Sequence, residues 1–544
     1  MTDILLIQPP VRDFYLTAKR TIPYGLACIA ASLQNAGFSV EIFDALATSK
    51  SRKLQIPEEM AYLDEYYGKE DISPFALFNN FKHFGYGFEH IGKEAAKSGA
   101  WLVGISSLFT PYAGYALHTA EAVKAFSPSC KIVLGGHHPT ALPESVMENG
   151  AVDYAIRGEG EVSMPLLAWA VKGGKSLDLI PGLVFRKKDG SIKINEPAMV
   201  ENLDNQPFPA TDLLKQDFYR RGKTASAVIS ASRGCPMKCS YCSVGASSFM
   251  KYRRRSVESV LGELEKIVYE NKAAFIDFED ENLSMDRKWF IMLLNGIKTR
   301  FGKSGIELRA MNGLFPSSLD EETVRLMKEA GFKTLNLSIG SFSSAQLGRF
   351  GRPDVRDDFD RALLFAERYG LNAVGYIIAG APFQSPEDSV SDILCLAGRR
   401  VLAGVSIFYP SPGSPDFGLC DKLGILPETF SLMRSSAIPV SHTTSRKQAV
   451  TLLRLGRILN FMKSLKDSGI EIPESLPFRE KVIKTDNRRD AGINLLKGFL
   501  HDGKIRGLDR SGTVYEHSIC NETAGLFVKG IKQAGLRGCR TGSP

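Results

Sequence analysis

The sequence predicts an α/β protein: an N-terminal doubly wound, Rossmann-like domain, then a partial (β/α)6 TIM-like barrel, then a mainly helical C-terminal region. Three observations carry this. Apolar runs of strand length alternate with helical stretches from the N-terminus to about residue 190, and the alternation resumes for six units between residues 224 and 425. Residues 191–223 between them hold proline, asparagine and short apolar patches without sustained period, so they read as a linker. Residues 426–544 lose the strand signals and keep helical spacing, as in 445–465 and 491–504.

In the first series, residues 3–8, 38–44, 101–107, 131–136 and 152–157 read as strands, and 23–37, 112–126 and 161–174 as intervening helices. An aromatic and charged insert at about 46–98 is predicted to be helical in part. In the second series, residues 227–230, 274–280, 306–311, 334–339, 373–380 and 405–410 are the strands, separated by helical stretches such as 256–271, 320–331 and 358–370. The C-terminal region is expected to cap the barrel mouth, with a short strand at 512–517.

Hydrophobic residues make up 44% of the chain and charged residues 24%, the balance of a globular protein, and 544 residues call for two or three cores. The start has no basic segment followed by a long apolar run, and no later stretch supplies a membrane span, so a cytoplasmic location is expected. Lys+Arg 68 against Asp+Glu 60 leaves +8, spread along the chain, which argues against a nucleic-acid partner. Of nine cysteines, Cys28, Cys130, Cys395, Cys420, Cys520 and Cys539 are scattered, which suits reduced thiols rather than a disulfide framework.

The other three stand together. Cys235, Cys239 and Cys242 form a C-x3-C-x2-C run just after the first strand of the second series. Three thiolates so spaced can hold three irons of a [4Fe-4S] cluster and leave one iron open; a zinc knuckle with a remote fourth ligand is the alternative. The spacing, with Tyr241 before the last cysteine, resembles the radical S-adenosylmethionine (radical SAM) superfamily. That resemblance implies that the open iron binds the amino and carboxylate groups of SAM and that the sulfonium is cleaved to a 5'-deoxyadenosyl radical.

Several strand ends are similar to SAM-binding elements of that superfamily. Glu279, Asp280 and Glu281 match an acidic turn that receives the SAM ammonium, a charge-assisted pairing; an acidic N-cap for the following helix is compatible with it. Arg253 and Arg255 match a basic segment that orients this turn or the SAM carboxylate. The fourth strand ends in Ser338, Ile339 and Gly340, where relatives usually carry glutamate at about position 340. Gly380 and Pro382 resemble a G-x-P-G-[EQ] loop near the adenine, with Phe383 in place of its second glycine. Residues 409–414 form a proline turn expected at the barrel mouth.

The first domain carries its own signal. The strand 101–107 runs into Ser106, Ser107 and Leu108, and 131–136 ends in Gly135 and Gly136, at the carboxyl ends where doubly wound sheets bind ligands. Together with the stretches after each and with residues 152–161, they resemble the cobalamin-binding domain that precedes some radical SAM cores. The nucleotide tail there threads between an S-x-L and a G-G element. His137 and His138 follow the glycines, with His138 a candidate for the tail or its phosphate and a plain surface turn the other reading. Members that ligate cobalt through histidine carry D-x-H-x-x-G after the first strand; residues 8–13 here are QPPVRD. The resemblance therefore implies displaced dimethylbenzimidazole and no histidine below the cobalt.

What the resemblance implies is an anaerobic enzyme with cobalamin, a [4Fe-4S] cluster and SAM, acting on a small-molecule substrate and reduced by a donor such as flavodoxin or ferredoxin. The commonest chemistry of this class is methylation of an unactivated carbon. The alternatives are a radical cyclase, oxidase or rearrangement enzyme without methyl transfer, and a transfer-RNA methylthiotransferase, which would need three further N-terminal cluster cysteines where only Cys28 and Cys130 occur.

Overall fold

The computed structural model describes residues 2–16, 22–197, 199–246, 250–483 and 487–539. The first sheet is built from β1 (Ile4–Gln8), β2 (Val40–Asp44), β3 (Leu102–Ser106), β4 (Lys131–Gly135), β5 (Tyr154–Ile156), β6 (Leu183–Arg186) and β7 (Ile192–Ile194), in the spatial order β2-β1-β3-β4-β5-β6-β7. The first five are parallel and the last two antiparallel. Side chains alternate between two buried faces, as a sheet covered on both sides requires. Ile4 and Leu6 pack with α1 (Tyr24–Asn35) and α4 (Gly160–Gly173), whereas Leu5 and Ile7 pack with α2 (Phe88–Ser98) and α3 (Ala113–Phe126). The chain order reverses between β1 and β3, which opens a crevice at their carboxyl ends.

All five expected strands are present. β6 and β7 were not expected: they are short, and β7 leaves both its isoleucines part-exposed, so no alternation marks it. The sheet thus runs on into the stretch read as linker. The insert is helical at Glu58–Tyr67, as predicted in part, and adds a small antiparallel sheet of Val11–Asp13, Lys82–Phe84 and Ser51–Lys53.

The second unit has six parallel strands: β8 (Thr224–Ile229), β9 (Ala273–Phe278), β10 (Glu307–Ala310), β11 (Thr334–Gly340), β12 (Asn372–Ala379) and β13 (Leu402–Ile407). Bridges Leu308 to Phe332 and Leu314 to Leu337 join the two trios across β10 and β11. The outer helices are α5 (Val257–Glu265), α6 (Arg287–Phe301), α7 (Glu321–Ala330), α8 (Arg356–Arg368) and α9 (Pro386–Ala397). Ser256, Asp286, Asp320 and Ser385 cap four of them by accepting backbone N–H bonds, which is why the helices start there.

The C-terminal region holds α10 (Arg446–Asp467), α11 (Arg488–Asp502), α12 (Asn521–Ile531) and a hairpin of Arg506–Leu508 with Val514–Glu516. α10 packs along β13 and α9, and its Leu453, Gly456, Arg457 and Asn460 line a cavity at the barrel. Asn460 on α10 accepts from Ala403 N (2.8 Å) and donates to Ala403 O (2.8 Å), which satisfies an edge strand that would otherwise stay unpaired. Among the described residues, no helix is long and apolar enough to cross a membrane.

Candidate active site

The cysteine loop leaves the carboxyl end of β8 and is shaped by two glycines. Gly234 has φ +78, and a Cβ there would meet Lys251 O at 2.5 Å; one on Gly245 would meet Met237 O at 2.0 Å. The loop therefore closes on itself more tightly than any side chain allows. Burial pushes the Cys235 thiol up to about 11 against a Met237 backbone bond, and the nearby Cys242 and Cys239 add to the rise. Cys242 is likewise raised by burial, with Cys239 beside it. The three cysteines thus lie near one another on a single loop. Among the described residues no group of three or more His, Cys, Asp or Glu side chains is arranged around a single-ion site; a cubane places each thiolate on a different iron.

The loop's supports came from positions the sequence did not single out. Ser240 N donates to Phe350 O (2.9 Å), Ser240 Oγ to Asp416 Oδ2 (3.0 Å), and Asp416 N to Ser240 O (2.8 Å). Tyr241 packs edge-on to Phe350 with centroids 5.0 Å apart, and its hydroxyl accepts from Arg352 Nη1 at 2.7 Å. Arg352 also reaches Cys239 Sγ (3.9 Å) and Ser338 O (2.7 Å).

The predicted SAM-binding residues divide by environment. Asp280 is buried and accepts from Ala231 N (3.1 Å) and Ser232 Oγ (2.6 Å), so it braces the start of the cysteine loop. Burial pushes its carboxyl up to about 7. Glu281 accepts from Gly234 N (3.1 Å) and is raised by burial. Glu279 takes Asn312 Nδ2 on its carbonyl (2.9 Å) and on Oε2 (3.3 Å) at the strand end. Arg255 is buried, ion-paired with Glu263, and donates to Ser259 Oγ (3.1 and 2.9 Å) and to Ser230 O (3.3 Å) at the end of β8, with no bond to the acidic turn itself among the described residues. Gly380 has φ +71, and a Cβ there would touch Thr444 at 3.4 Å; Pro382 follows it. Phe383 adopts φ 61, the left-handed backbone its glycine counterpart takes freely.

On the first sheet, Ser106 pairs in register with Gly135, where an added Cβ would meet nothing within 4 Å. Gly136 is the opposite case: φ is +123 and a Cβ would lie 2.6 Å from Ser107 O. Ser107 Oγ is buried and has no hydrogen-bond partner among the described residues, and Leu108 is 43% exposed at the strand end. An open groove at Gly135, flanked by an orphaned hydroxyl and an exposed leucine, fits a bulky ligand tail. Of the histidines, His138 is buried between Thr110 Oγ1 (3.4 Å), Ser145 Oγ (3.3 Å) and the Phe430 ring, and burial lowers it to about 4. His137, one residue earlier, lines the central cavity instead.

That cavity, of about 1360 Å³, joins the two units. Leu108–Tyr112 and His137 form its sheet side, Ser243 and Val244 beside Cys242 its cluster side, and Tyr376, Gly404 and Arg457 its barrel side. Asp13 and Arg434 meet in its wall at 2.9 Å, with Tyr112 donating to Asp13 at 2.6 Å. A second contact locks the units: Arg253 donates through both Nη atoms to Glu159 (2.9 and 2.8 Å), and Arg233 to Glu161 (2.6 Å) and Glu159 (3.3 Å). Burial acts to raise the Glu159 carboxyl, but the arginines outweigh it and the net shift is downward.

A doubly wound sheet with a ligand groove, set against a six-stranded barrel whose first loop carries three cysteines, defines a radical enzyme with a second, sheet-bound cofactor. Residues 70–168 match the model of the B12 binding domain, and residues 229–393 that of the Radical SAM superfamily. Over 421 residues the chain is 32% identical to the protein named "Uncharacterized methyltransferase PH0819" of Pyrococcus horikoshii, covering 76% of this chain and 81% of that one. It is 30% identical over 429 residues to the anaerobic magnesium-protoporphyrin IX monomethyl ester cyclase of Rubrivivax gelatinosus, covering 76% and 73%. The fold matches the radical S-adenosylmethionine methyltransferase TsrM from Kitasatospora setae with a TM-score of 0.60 at 17% identity, over 86% of this chain and 96% of that one. The chain belongs to the cobalamin-dependent radical SAM family. Its cofactors are cobalamin, SAM and a [4Fe-4S] cluster.

Proposed function

We propose that this enzyme methylates an unactivated carbon of a small molecule, with Cys235, Cys239 and Cys242 holding the cluster and the Ser107, Leu108 and Gly135 groove holding the cobalamin tail. When bound, SAM on the cluster supplies the radical that removes a substrate hydrogen, and cobalamin supplies the methyl group. The observation that supports the reading is a cavity of about 1360 Å³ whose lining runs from Leu108 at the end of β3 to Ser243, the residue after Cys242. A substrate lying in it is reachable from the cysteine loop and from the ends of β3 and β4. Its walls include Phe14, Tyr15, Leu77, Phe78 and Phe109, which exclude water from a reacting carbon. The cluster takes its electron from a low-potential donor such as flavodoxin or ferredoxin, in a cytoplasmic setting.

The test is stoichiometry. A methylase consumes two SAM per turnover, giving S-adenosylhomocysteine and 5'-deoxyadenosine in equal amounts, with label from the SAM methyl group in the product. A cyclase, oxidase or rearrangement enzyme gives 5'-deoxyadenosine alone and an unlabelled product, and that result removes the methyltransferase assignment.

A further inference from the structure

The guanidinium of Arg352 is a cation at the cluster site that meets no carboxylate among the described residues. Nη1 donates to Tyr241 Oη (2.7 Å) and Cys239 Sγ (3.9 Å), and Nη2 donates to Ser338 O (2.7 Å). Its Nε is buried without a hydrogen-bond partner among the described residues. The side chain is wedged beside Gly340, where an added Cβ would sit 3.4 Å from Arg352 Cδ and 3.6 Å from Nε. An acidic side chain at position 340 would therefore neutralise Arg352, and the glycine found there does not. The acidic groups that surround the loop are engaged elsewhere: Asp280 with Ala231 and Ser232, Glu281 with Gly234, and Asp416 with Ser240.

We propose that Arg352 is a positioning residue that sets the reduction potential of the cluster by placing an uncompensated positive charge and an N–H donor on the sulfur of Cys239. Reduction of the cubane from the 2+ to the 1+ state adds one electron and no proton. The added negative charge is shared by the cysteinyl sulfurs, so a cation bonded to one of them stabilises the reduced form and raises the potential. In a buried site the charge is weakly screened and its effect on one sulfur is correspondingly large. Tyr241 Oη and Ser338 O hold the fork in place from the cysteine loop and from β11. Arg352 thereby ties the potential of the cluster to the geometry of the fourth strand end. The proposal rests on the cluster assignment but not on methyl transfer.

The experiment is a dithionite titration of anaerobically reconstituted protein, followed by the electron paramagnetic resonance of the reduced cluster. Arg352→Met, which loses charge and donor, is expected to shift the oxidised-to-reduced ratio at a fixed potential about tenfold toward the oxidised form, about 59 mV for one electron. Arg352→Lys, which keeps the charge, recovers part of the shift. Iron analysis runs in parallel: a wild-type protein that takes up no four-iron cluster defeats the assignment itself. A variant with four irons and an unchanged midpoint defeats the role of Arg352. Should the variants lose iron, the wild type still decides the matter. Protein made with 15N-guanidino arginine must show a 15N coupling to the reduced cluster in pulsed spectra, and its absence overturns the proposal.

Discussion

Gly135 and Gly136 are neighbours in sequence with opposite physical demands, and exchanging them for larger residues separates ligand binding from folding. At Gly136, φ of +123 excludes ordinary side chains, and a methyl group would stand 2.6 Å from Ser107 O, where backbone cannot yield. Left-handed strain of about 1–2 kcal/mol and overpacking of about 1–3 kcal/mol add, so Gly136→Ala should cost about 2–5 kcal/mol of stability. At Gly135 nothing lies within 4 Å of the added atom. There Gly135→Ala should be neutral or stabilising by about 0.5–1 kcal/mol, because a strand residue loses less backbone entropy than glycine. Gly135→Phe should leave the melting temperature near that of the wild type and fill the groove. If the ligand tail must be displaced by about 1–3 kcal/mol of overpacking, cobalamin affinity falls about 5- to 150-fold. Equilibrium dialysis with hydroxocobalamin, alongside thermal melts of all three variants, measures both quantities. Wild-type affinity in Gly135→Phe would refute the groove as the tail site, and an undisturbed melt in Gly136→Ala would refute the steric argument.

Three further outcomes follow from other parts of the site. Cys239→Ala should lose the four irons of the reconstituted cluster, since two thiolates hold a cubane poorly; iron and sulfide analysis reads this, and an intact cluster in the variant would contradict the ligand assignment. Cob(II)alamin bound to the protein should show no nitrogen superhyperfine splitting, because residues 8–13 offer no histidine and His83 is engaged by Arg12 (3.4 Å) and Tyr86 O (3.0 Å); triplet splitting would be the contrary result. Burial holds the Asp280 carboxyl at about 7, above the ordinary 3.8, so the folded state binds the proton more tightly than the unfolded one. The stability this contributes is fully present below pH 3.8 and is lost as pH rises through about 7, and Asp280→Asn should flatten that decline in urea melts across the interval, an unchanged slope being the refutation.

The legible parts of this protein are those whose signal is local. The cysteine triplet and the paired glycines each lie within a few residues on one loop, and the alternation of Ile4, Leu5, Leu6 and Ile7 between two faces is a strand pattern in itself. The rest depended on contacts between distant positions. Arg352 reaches the cluster loop from 113 residues away, and no periodicity announces it. Arg255 stands in a basic run beside the acidic turn, and only the fold shows its fork committed to Glu263, Ser259 and Ser230 O. His137 and His138 open a short helix, where successive side chains diverge by about 100°. Sequence adjacency therefore could not say which ring faces the cavity, and it is His137. The strands β6 and β7 escaped notice because they add to the sheet edge with half-exposed residues, where burial leaves little pattern to read.

The clasp between the units gives these contacts a common purpose. Arg233 lies two residues before Cys235 and Arg253 on the strand that pairs with it, while Glu159 and Glu161 flank the start of α4 in the cofactor-binding sheet. Part-buried ion pairs of this kind contribute little net stability, because desolvation of each charge offsets much of the attraction. Their distinctive effect is geometric: the forked bonds of Arg253 to Glu159 admit one relative placement and penalise others by leaving charges buried and unpaired. A reaction that brings two cofactors to one carbon tolerates little relative motion between them, since an ångström of misplacement slows an oriented reaction severely. The two arginines fix the cysteine loop itself, not a remote part of the barrel, to the domain that carries the Gly135 groove. Four charged residues, none of which lines the cavity, thus join the Asp13–Arg434 pair in fixing the distance between the two cofactor sites.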